Sequence, residues 1–372
     1  MTTGRFNRTV INMDEPLEKI EVAAKKSWPV IMGWVGGITA LIAFFGSIGG
    51  GITWLINHHR HNAEYKAQMQ LAQTQASQKQ YQAALKTYGE ILKEDPLDRA
   101  ATDAQLDAAM EWVEDFSLYA REGKDQADLS SAALDEIFPV LTSGMTRAKN
   151  ARLADAEAHL GWAHFLNAKM AQRESDSVAV EDWRQALATD PANVYANAML
   201  GNWLLQTGGN LNEAVQHFET AVKSGRALPL VRRLQLGGLL YLEAPGARAE
   251  TMRVANDMRT KGEQLDPGMQ RRVANWCFDP ILTHRAELIE VLGAVPSDDA
   301  WKTYLWLESS PGFYSPDAAD LGKRFVHANL LEIAGKRGDA LDEYRGLQSA
   351  LRDRPGSLRD QVAAAINRLT RG

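Results

Sequence analysis

The sequence has almost no cysteine and none of the common catalytic or nucleotide-binding motifs. Cys277 is the one cysteine among 372 residues, so no disulfide can form within the chain. Its neighbours Trp276 and Phe278 favour a buried, unreactive thiol. No HExxH, CxxC or GxSxG pattern occurs, and the glycine-rich stretch 46–51 lacks the lysine of a phosphate-binding loop. These absences argue against an enzyme, and no cofactor is expected.

Metal and nucleic-acid binding find equally little support. The histidines at 58, 59 and 61 have no carboxylate or cysteine at helical spacing, so a solvated cluster is favoured over a metal site. Four further histidines are isolated and are expected to be structural or solvated: His164, His217, His284 and His327. The net charge of −6 argues against nucleic acid as a partner.

Charge is also missing from a long run near the start of the chain. Pro29–Ile56 contains no Asp, Glu, Lys, Arg or His. As a helix, these 28 residues measure about 42 Å, against about 30 Å for a bilayer core. Tryptophans 28, 34 and 54 lie near its ends, where indole rings favour the headgroup level. A cleaved signal peptide is the alternative, but the run is long for one and no clear cleavage site follows. The run predicts a single transmembrane helix over residues 29–56.

The basic residues on either side of this run predict its orientation. Arg and Lys are more frequent before it, at positions 5, 8, 19, 25 and 26, than in the twenty residues after it, at 60 and 66. The positive-inside rule therefore predicts a cytoplasmic tail, residues 1–28, which includes a short amphipathic helix. The domain at 57–372 is then extracytoplasmic, in the periplasm if the source is bacterial.

Small residues within the run suggest that two such helices could pair. Close backbone approach in lipid is favoured by stripes of small side chains and by GxxxG spacing. Ordinary glycine enrichment of membrane helices is the alternative reading, and homo-oligomerisation stays open. The residues concerned are Gly33, Gly37, Thr39, Ala43, Ser47 and Gly51.

The chain beyond the run is patterned for helices throughout and shows no strand alternation, which predicts an all-α domain. One spacing recurs in it: alanine, an aromatic residue four positions later, an apolar residue three further on, and often a late proline. A small residue precedes each copy on an apolar helix, as at Gly161 and Gly201. Small residues let two helices cross closely, and the aromatic ring fills the gap to the next pair. The copies are Ala84–Tyr88–Ile91, Ala179–Trp183–Ala186, Ala214–Phe218–Ala221 and Ala340–Tyr344–Leu347.

This pattern resembles the tetratricopeptide repeat (TPR) over roughly residues 65–98, 154–260 and 321–372. The resemblance implies an α-solenoid of antiparallel helix pairs that binds proteins or peptides on its concave face. The stretches 98–150 and 269–310 depart from the repeat and are interpreted as irregular helix pairs. Residues 357–371 are expected to form a C-terminal capping helix.

Family positions on the first helix of each pair, carried onto this chain, give a set of partner-binding candidates. Packing between repeats is an equally acceptable role for Trp162 and Phe165. Ala198 stands where a carboxylate clamp would need lysine, so recognition of an acidic C-terminal tail is not expected. The candidates are Asp155, Trp162, Phe165, Tyr195, Asn202, Gln206, Val231, Tyr241, Phe325 and Asn329.

Two functions are compatible with these features. The favoured one is a membrane-tethered scaffold that binds a partner protein or peptide, as an accessory subunit of a membrane or envelope assembly. The alternative is an oligomerising membrane effector or pore in which the helical domain acts as sensor or gate. The uncharged run 29–56 offers little polar surface to line a pore.

Overall fold

The computed structural model describes residues 63–116, 131–171, 176–279, 281–309 and 316–371. Across these ranges every regular element is a helix and no strand occurs, which confirms the predicted all-α class. The first helix, α1, occupies residues 63–77. The others are α2 (Tyr81–Glu94), α3 (Arg99–Asp115), α4 (Ser131–Met145), α5 (Ala151–Met170), α6 (Ser177–Thr189), α7 (Val194–Gln206), α8 (Leu211–Lys223), α9 (Leu228–Leu239), α10 (Ala247–Lys261), α11 (Pro267–Phe278), α12 (Arg285–Gly293), α13 (Ser297–Glu308), α14 (Pro316–Ile333), α15 (Arg337–Ala350) and α16 (Ser357–Arg371).

The chain divides into a unit of residues 1–70 and a unit of residues 71–372. The first is described only over 63–70, as part of α1. The predicted tail, the span 29–56 and its small-residue stripe all lie outside the described residues. Among the helices that are described, none is both long and apolar enough to cross a membrane.

The recurring alanine and aromatic positions form the core of the second unit. Each of the twelve residues in the four copies is at most 2% exposed, on helices α2, α6, α8 and α15. Burial at a spacing of four and then three residues follows from the helical period, which returns these positions to one face. The repeat pattern in the sequence therefore marks the buried face of four helices.

Small residues on the preceding helices permit the close crossings that the pattern predicts. A Cβ atom at Gly161 would lie 2.7 Å from Nε1 of Trp183 and 3.0 Å from the carbonyl oxygen of Ala179. One at Gly201 would lie 3.0 Å from the ring of Phe218. Glycine therefore lets α5 approach α6, and α7 approach α8, more closely than any other residue would.

Packing in this unit is local along the chain. The principal contacts of the described helices join each helix to the next one or two, and the longest step is from α10 to α13. The pairs α5–α6, α7–α8 and α14–α15 share the most extensive contacts. Each helix therefore buries its apolar face mainly against its neighbours in sequence.

The irregular segment 269–310 differs from the helix pair that was predicted there. It contains most of α11 together with α12 and α13, so three helices share this stretch. Pro296 stands immediately before α13, and Asp298 and Asp299 lie in the first turn, where negative charge favours a helix start. The segment thus contains one more helix than a helix pair would.

The C-terminal helix α16 occupies residues 357–371, the span expected for the cap. Val362, Ala365 and Leu369 of this helix are buried. Glu332 of α14 joins it to the rest of the unit, since its carboxylate accepts hydrogen bonds from Arg368 on α16 at 2.8 Å and from Arg285 on α12 at 2.7 Å. Burial would raise the pKa of Glu332, but these arginines outweigh it and the pKa lies below its usual value.

Candidate partner-binding site

Side chains from alternate helices meet in one polar group, which we call the odd-helix cluster. It draws Glu114 from α3, Asp155 and His159 from α5, Tyr195 from α7, and Arg233 from α9. Arg226, in the connection before α9, completes the cluster. Two of these residues, Asp155 and Tyr195, are candidates from the sequence.

Asp155 is almost fully buried and is held by two side chains. Its Oδ1 accepts a hydrogen bond from Nδ2 of Asn193 at 2.7 Å, and its Oδ2 accepts one from Nη2 of Arg226 at 2.7 Å. Asn193 is also the N-cap of α7, where its Oδ1 accepts from the backbone N–H of Ala196. The hydrogen bond that Arg226 donates to Asp155 raises the pKa of Arg226 above its usual value. The contact therefore neutralises a buried carboxylate and fixes the connection between α8 and α9.

His159 is fully buried between two acceptors. Its Nδ1 lies 2.6 Å from the carbonyl oxygen of Asp155, and its Nε2 lies 2.8 Å from Oε1 of Glu114. Because both partners are oxygens, each of the two hydrogen bonds needs a proton, carried either by the imidazole or by Glu114. The imidazole thus ties α5 to the C-terminal end of α3.

Tyr195 packs over this histidine and reaches the surface. Its ring centroid lies 4.3 Å from that of His159, and the guanidinium of Arg226 lies 5.7 Å from the Tyr195 ring. Burial, with Glu114 and Asp155 nearby, raises the pKa of Tyr195 to about 12. The phenol therefore keeps its proton at neutral pH and can donate a hydrogen bond.

Arg233 joins two helices that are far apart in sequence. Its Nη2 donates a hydrogen bond to the carbonyl oxygen of Glu114 at 2.7 Å, across 119 residues. The acceptor is one of the last four carbonyls of α3, which have no partner within the helix. A cation at this end also complements the helix dipole.

An acidic stripe on α3 borders the cluster and consists of Asp103, Asp107 and Glu111. Arg152 lies 3.4 Å from Asp103 and 3.0 Å from Asp107, whereas no described cation pairs with Glu111. Burial raises the pKa of Asp107 despite the arginine. Burial and the charges of Glu114 and Asp107 raise the pKa of Glu111. Arg99 also lies 3.8 Å from Asp103, so three carboxylates face two arginines and the stripe carries a net negative charge among the described residues.

Several candidates from the sequence lie in the packing between helices. Trp162 and Phe165 are at most 1% exposed and stack on each other with ring centroids 5.2 Å apart, as inter-helix packing requires. Asn202 is buried and donates to the carbonyl oxygen of Leu234. Buried with them are Val231, Phe325 and Asn329.

Besides Tyr195, two candidates are at least partly accessible. Tyr241 is 59% exposed, and its hydroxyl accepts a hydrogen bond from Arg272 at 3.0 Å. Gln206 is half-buried and donates to Oδ1 of Asn202 at 2.8 Å. These side chains belong to the exposed surface of the unit but lie outside the odd-helix cluster.

Sequence reasoning missed four members of the cluster: Glu114, His159, Arg226 and Arg233. His159 follows Asp155 by four residues on one helix, a spacing that could have suggested a polar face. The other three come from separate helices and connections, and no periodic signal joins them. Cys277 is buried as predicted, and burial raises the pKa of its thiol to about 12. Within the described part of the chain, no group of three or more His, Cys, Asp or Glu residues could hold a metal ion.

The TPR resemblance rests on the residue pattern alone, since no family model and no curated protein matches the chain.

Proposed function

We propose that this protein is a membrane-tethered scaffold that binds a partner protein through a TPR-like solenoid. In this proposal the odd-numbered helices α3, α5, α7 and α9 line the concave face, and the even-numbered helices lie behind them. The observation that carries it is the odd-helix cluster, in which side chains of alternate helices converge. Alternate helices share a face when antiparallel pairs stack in register.

The local packing of the unit supports the same arrangement. In a repeat array each helix pair contacts its neighbours and few other elements. The contacts between each helix and the next one or two, and the repeated burial of alanine and aromatic positions, fit such an array. The segment of α11 to α13 is then an irregular insertion with three helices.

The accessible part of the cluster has chemistry suited to protein recognition. Tyr and Arg are enriched at the energetically important positions of protein interfaces. Tyr195 is half-buried and Arg226 has a side chain that is 52% exposed, and both are held in place by Asp155 and His159. Residues held in place before binding lose little conformational entropy when a partner binds.

Tethering to a membrane would favour binding of membrane partners to such a surface. A transmembrane helix at 29–56 would confine the domain to the bilayer and raise the local concentration of membrane partners without any new contact. An accessory subunit of a membrane or envelope assembly is the setting we propose, with the domain on the extracytoplasmic side.

The test compares two charge reversals on the full chain, purified in detergent from its native membrane. Glu111→Arg reverses the acidic stripe, and Glu94→Arg makes the same change on an exposed residue of α2. We expect the wild type and E94R to retain a partner that cross-links near Glu111 and Arg226, and E111R to lose it. Equal recovery by all three chains, or cross-links mapped elsewhere, would refute the proposed surface; thermal melts establish that the variants fold.

A further inference from the structure

A second surface lies where two connections of the helical unit meet. The α9–α10 connection and the α11–α12 connection enclose a pocket of about 620 Å³, with α10, α11 and α12 supplying the remaining walls. None of its lining residues belongs to the odd-helix cluster. Its principal lining side chains are Leu242, Glu243, Arg248, Trp276, Leu282 and Glu290.

One side of the pocket is apolar and partly open to solvent. Leu242 and Trp276 contribute to its lining, and Leu282 is 49% exposed. Ile281, next to Leu282 in the same connection, is 74% exposed. Two adjacent aliphatic side chains at the edge of a concave site offer a partner apolar surface to cover.

The pocket is also acidic, with glutamates 243, 287 and 290 against one arginine, Arg248. Glu243 and Glu290 are exposed, and neither forms an ion pair with any described residue. Two carboxylates at the pocket thus have no cationic partner within the described part of the chain.

Arg248 is already fully engaged. Its guanidinium lies 3.6 Å from the ring centroid of Trp276, donates to the carbonyl oxygen of Leu282 at 2.6 Å, and forms an ion pair with Glu287 at 3.2 Å. A side chain held by a ring, a carbonyl and a carboxylate serves as a wall of the pocket. Its charge is matched by Glu287, which leaves Glu243 and Glu290 unbalanced.

We infer that this pocket binds a lysine or arginine side chain of a partner protein, with a neighbouring apolar residue of that partner covering Leu282 and Ile281. Lysine and arginine carry an apolar stem and a charged head, which match the apolar lining and the two unpaired carboxylates. Complementary charge attracts such a segment, and like charge rejects an acidic one. The inference rests on the contacts of this pocket and does not depend on the odd-helix cluster.

The test measures the affinity of short peptides for the full chain in detergent. The probes are acetylated, amidated pentapeptides, Ala-Leu-Lys-Leu-Ala and its analogues with glutamine or glutamate in place of lysine. We expect the lysine peptide to bind at least about tenfold more tightly than the glutamate peptide, a difference of about 1.4 kcal/mol. A benzophenone-bearing version of the lysine peptide should cross-link to residues 242–246 or 282–290.

Matched variants separate this pocket from a general charge effect. Glu243→Gln with Glu290→Gln should bring the lysine and glutamate peptides to within about threefold of each other. Glu94→Gln with Glu181→Gln changes the net charge equally at exposed residues that do not line the pocket, and should leave the preference intact. Leu282→Ser should weaken the lysine and glutamine peptides alike.

Three results would overturn the inference. The first is equal binding of the lysine and glutamate peptides by the wild type. The second is an equal loss of the preference for the lysine peptide in both double variants. The third is cross-linking of the benzophenone-bearing lysine peptide to residues outside the pocket. Cross-links between two copies of the chain across this pocket would identify a second copy as the occupant and would equally overturn it.

Discussion

Among single residues, Glu111 is one whose surroundings make its ionised carboxylate unfavourable to folding. Partial burial and the nearby charges of Glu114, Asp107 and Asp115 raise its pKa. The folded chain therefore binds a proton at Glu111 more readily than the unfolded chain does, so ionisation of this group disfavours folding. Among the described cations, the nearby Arg152 is committed to Asp107.

We expect Glu111→Gln to raise the free energy of unfolding at pH 7, because the substitution removes the unfavourable charge. The advantage should fade as the pH falls through the raised pKa, and vanish below the pKa of an unfolded glutamate, about 4.3. Urea denaturation at pH 7 and at pH 4 measures both values.

Glu90→Gln is the matched control for this change. A hydrogen bond and the charge of Lys93 lower the pKa of Glu90, which is fully exposed, so its neutralisation should give no gain at pH 7. A lower stability of E111Q at pH 7 would contradict the assignment of Glu111.

At the scale of helices, the approach of α5 to α6 depends on the absence of a side chain at one position. Gly161→Ala would place a methyl group 2.7 Å from Nε1 of Trp183, whose N–H already donates to the carbonyl oxygen of Ala158. We expect a loss of about 1–3 kcal/mol in the free energy of unfolding, as for other overpacked cores.

The same substitution at Gly89 provides the comparison. Gly89 lies inside α2, and an added Cβ would meet only Gln105, at 3.7 Å. Alanine favours a helix interior over glycine by up to about 1 kcal/mol, so G89A should be neutral or stabilising. Chemical denaturation of both variants checks the pair, and similar losses would refute the role of close approach at Gly161.

Helices and their buried faces could be predicted from the sequence because they depend on local spacing. The positions Ala84, Tyr88 and Ile91 return to one face of a helix whatever surrounds them, and so do their counterparts in the other copies. Spacing could not decide whether Trp162 and Phe165 face a partner or the next helix, since both roles require the same face. The stretch 269–310 was interpreted as a helix pair and contains three helices or parts of them, although Pro296 and the acidic residues after it mark the start of α13.

At the scale of the whole unit, one hydrogen bond links helices that the sequence keeps far apart. Arg233→Ala removes the donor to the Glu114 carbonyl and leaves that acceptor without its charged partner. We expect a loss of about 1.5–3 kcal/mol in the free energy of unfolding, typical of a hydrogen bond with a charged partner. Hydrogen exchange should quicken at the end of α3, residues 112–116.

Arg345→Ala serves as the control at this scale. Arg345 pairs with Asp342 on the surface of α15, with side chains that are 58% and 81% exposed, and such pairs contribute little. Its loss should change stability by less than about 0.5 kcal/mol and leave exchange in α3 unaltered. Unchanged exchange at α3 in R233A would show that the link does not hold the two helices together.

The odd-helix cluster could not be foreseen at this scale, for a physical reason. Glu114, Arg226 and Arg233 become neighbours only after the helices from α3 to α9 have packed, and many residue types would suit the local backbone at each of these positions. Asp155 and Tyr195 were found because the family pattern places them on the first helix of a pair. The residues that contact Asp155 and Tyr195 depend on how the helix pairs stack on one another. No short spacing in the sequence encodes that stacking.

The local packing of the helices has a consequence for the order in which the chain can assemble during synthesis. Contacts between near neighbours close small loops, and such contacts form quickly. Each helix pair can therefore pack as soon as both of its helices have emerged on the side of the membrane where the domain folds, before the rest of the chain follows. Arg233 is an exception, because its acceptor at Glu114 is made 119 residues earlier and must wait for α9. The helices that precede α9 would thus pack first, and the Glu114 carbonyl at the end of α3 would lack its hydrogen bond from Arg233 until α9 packs.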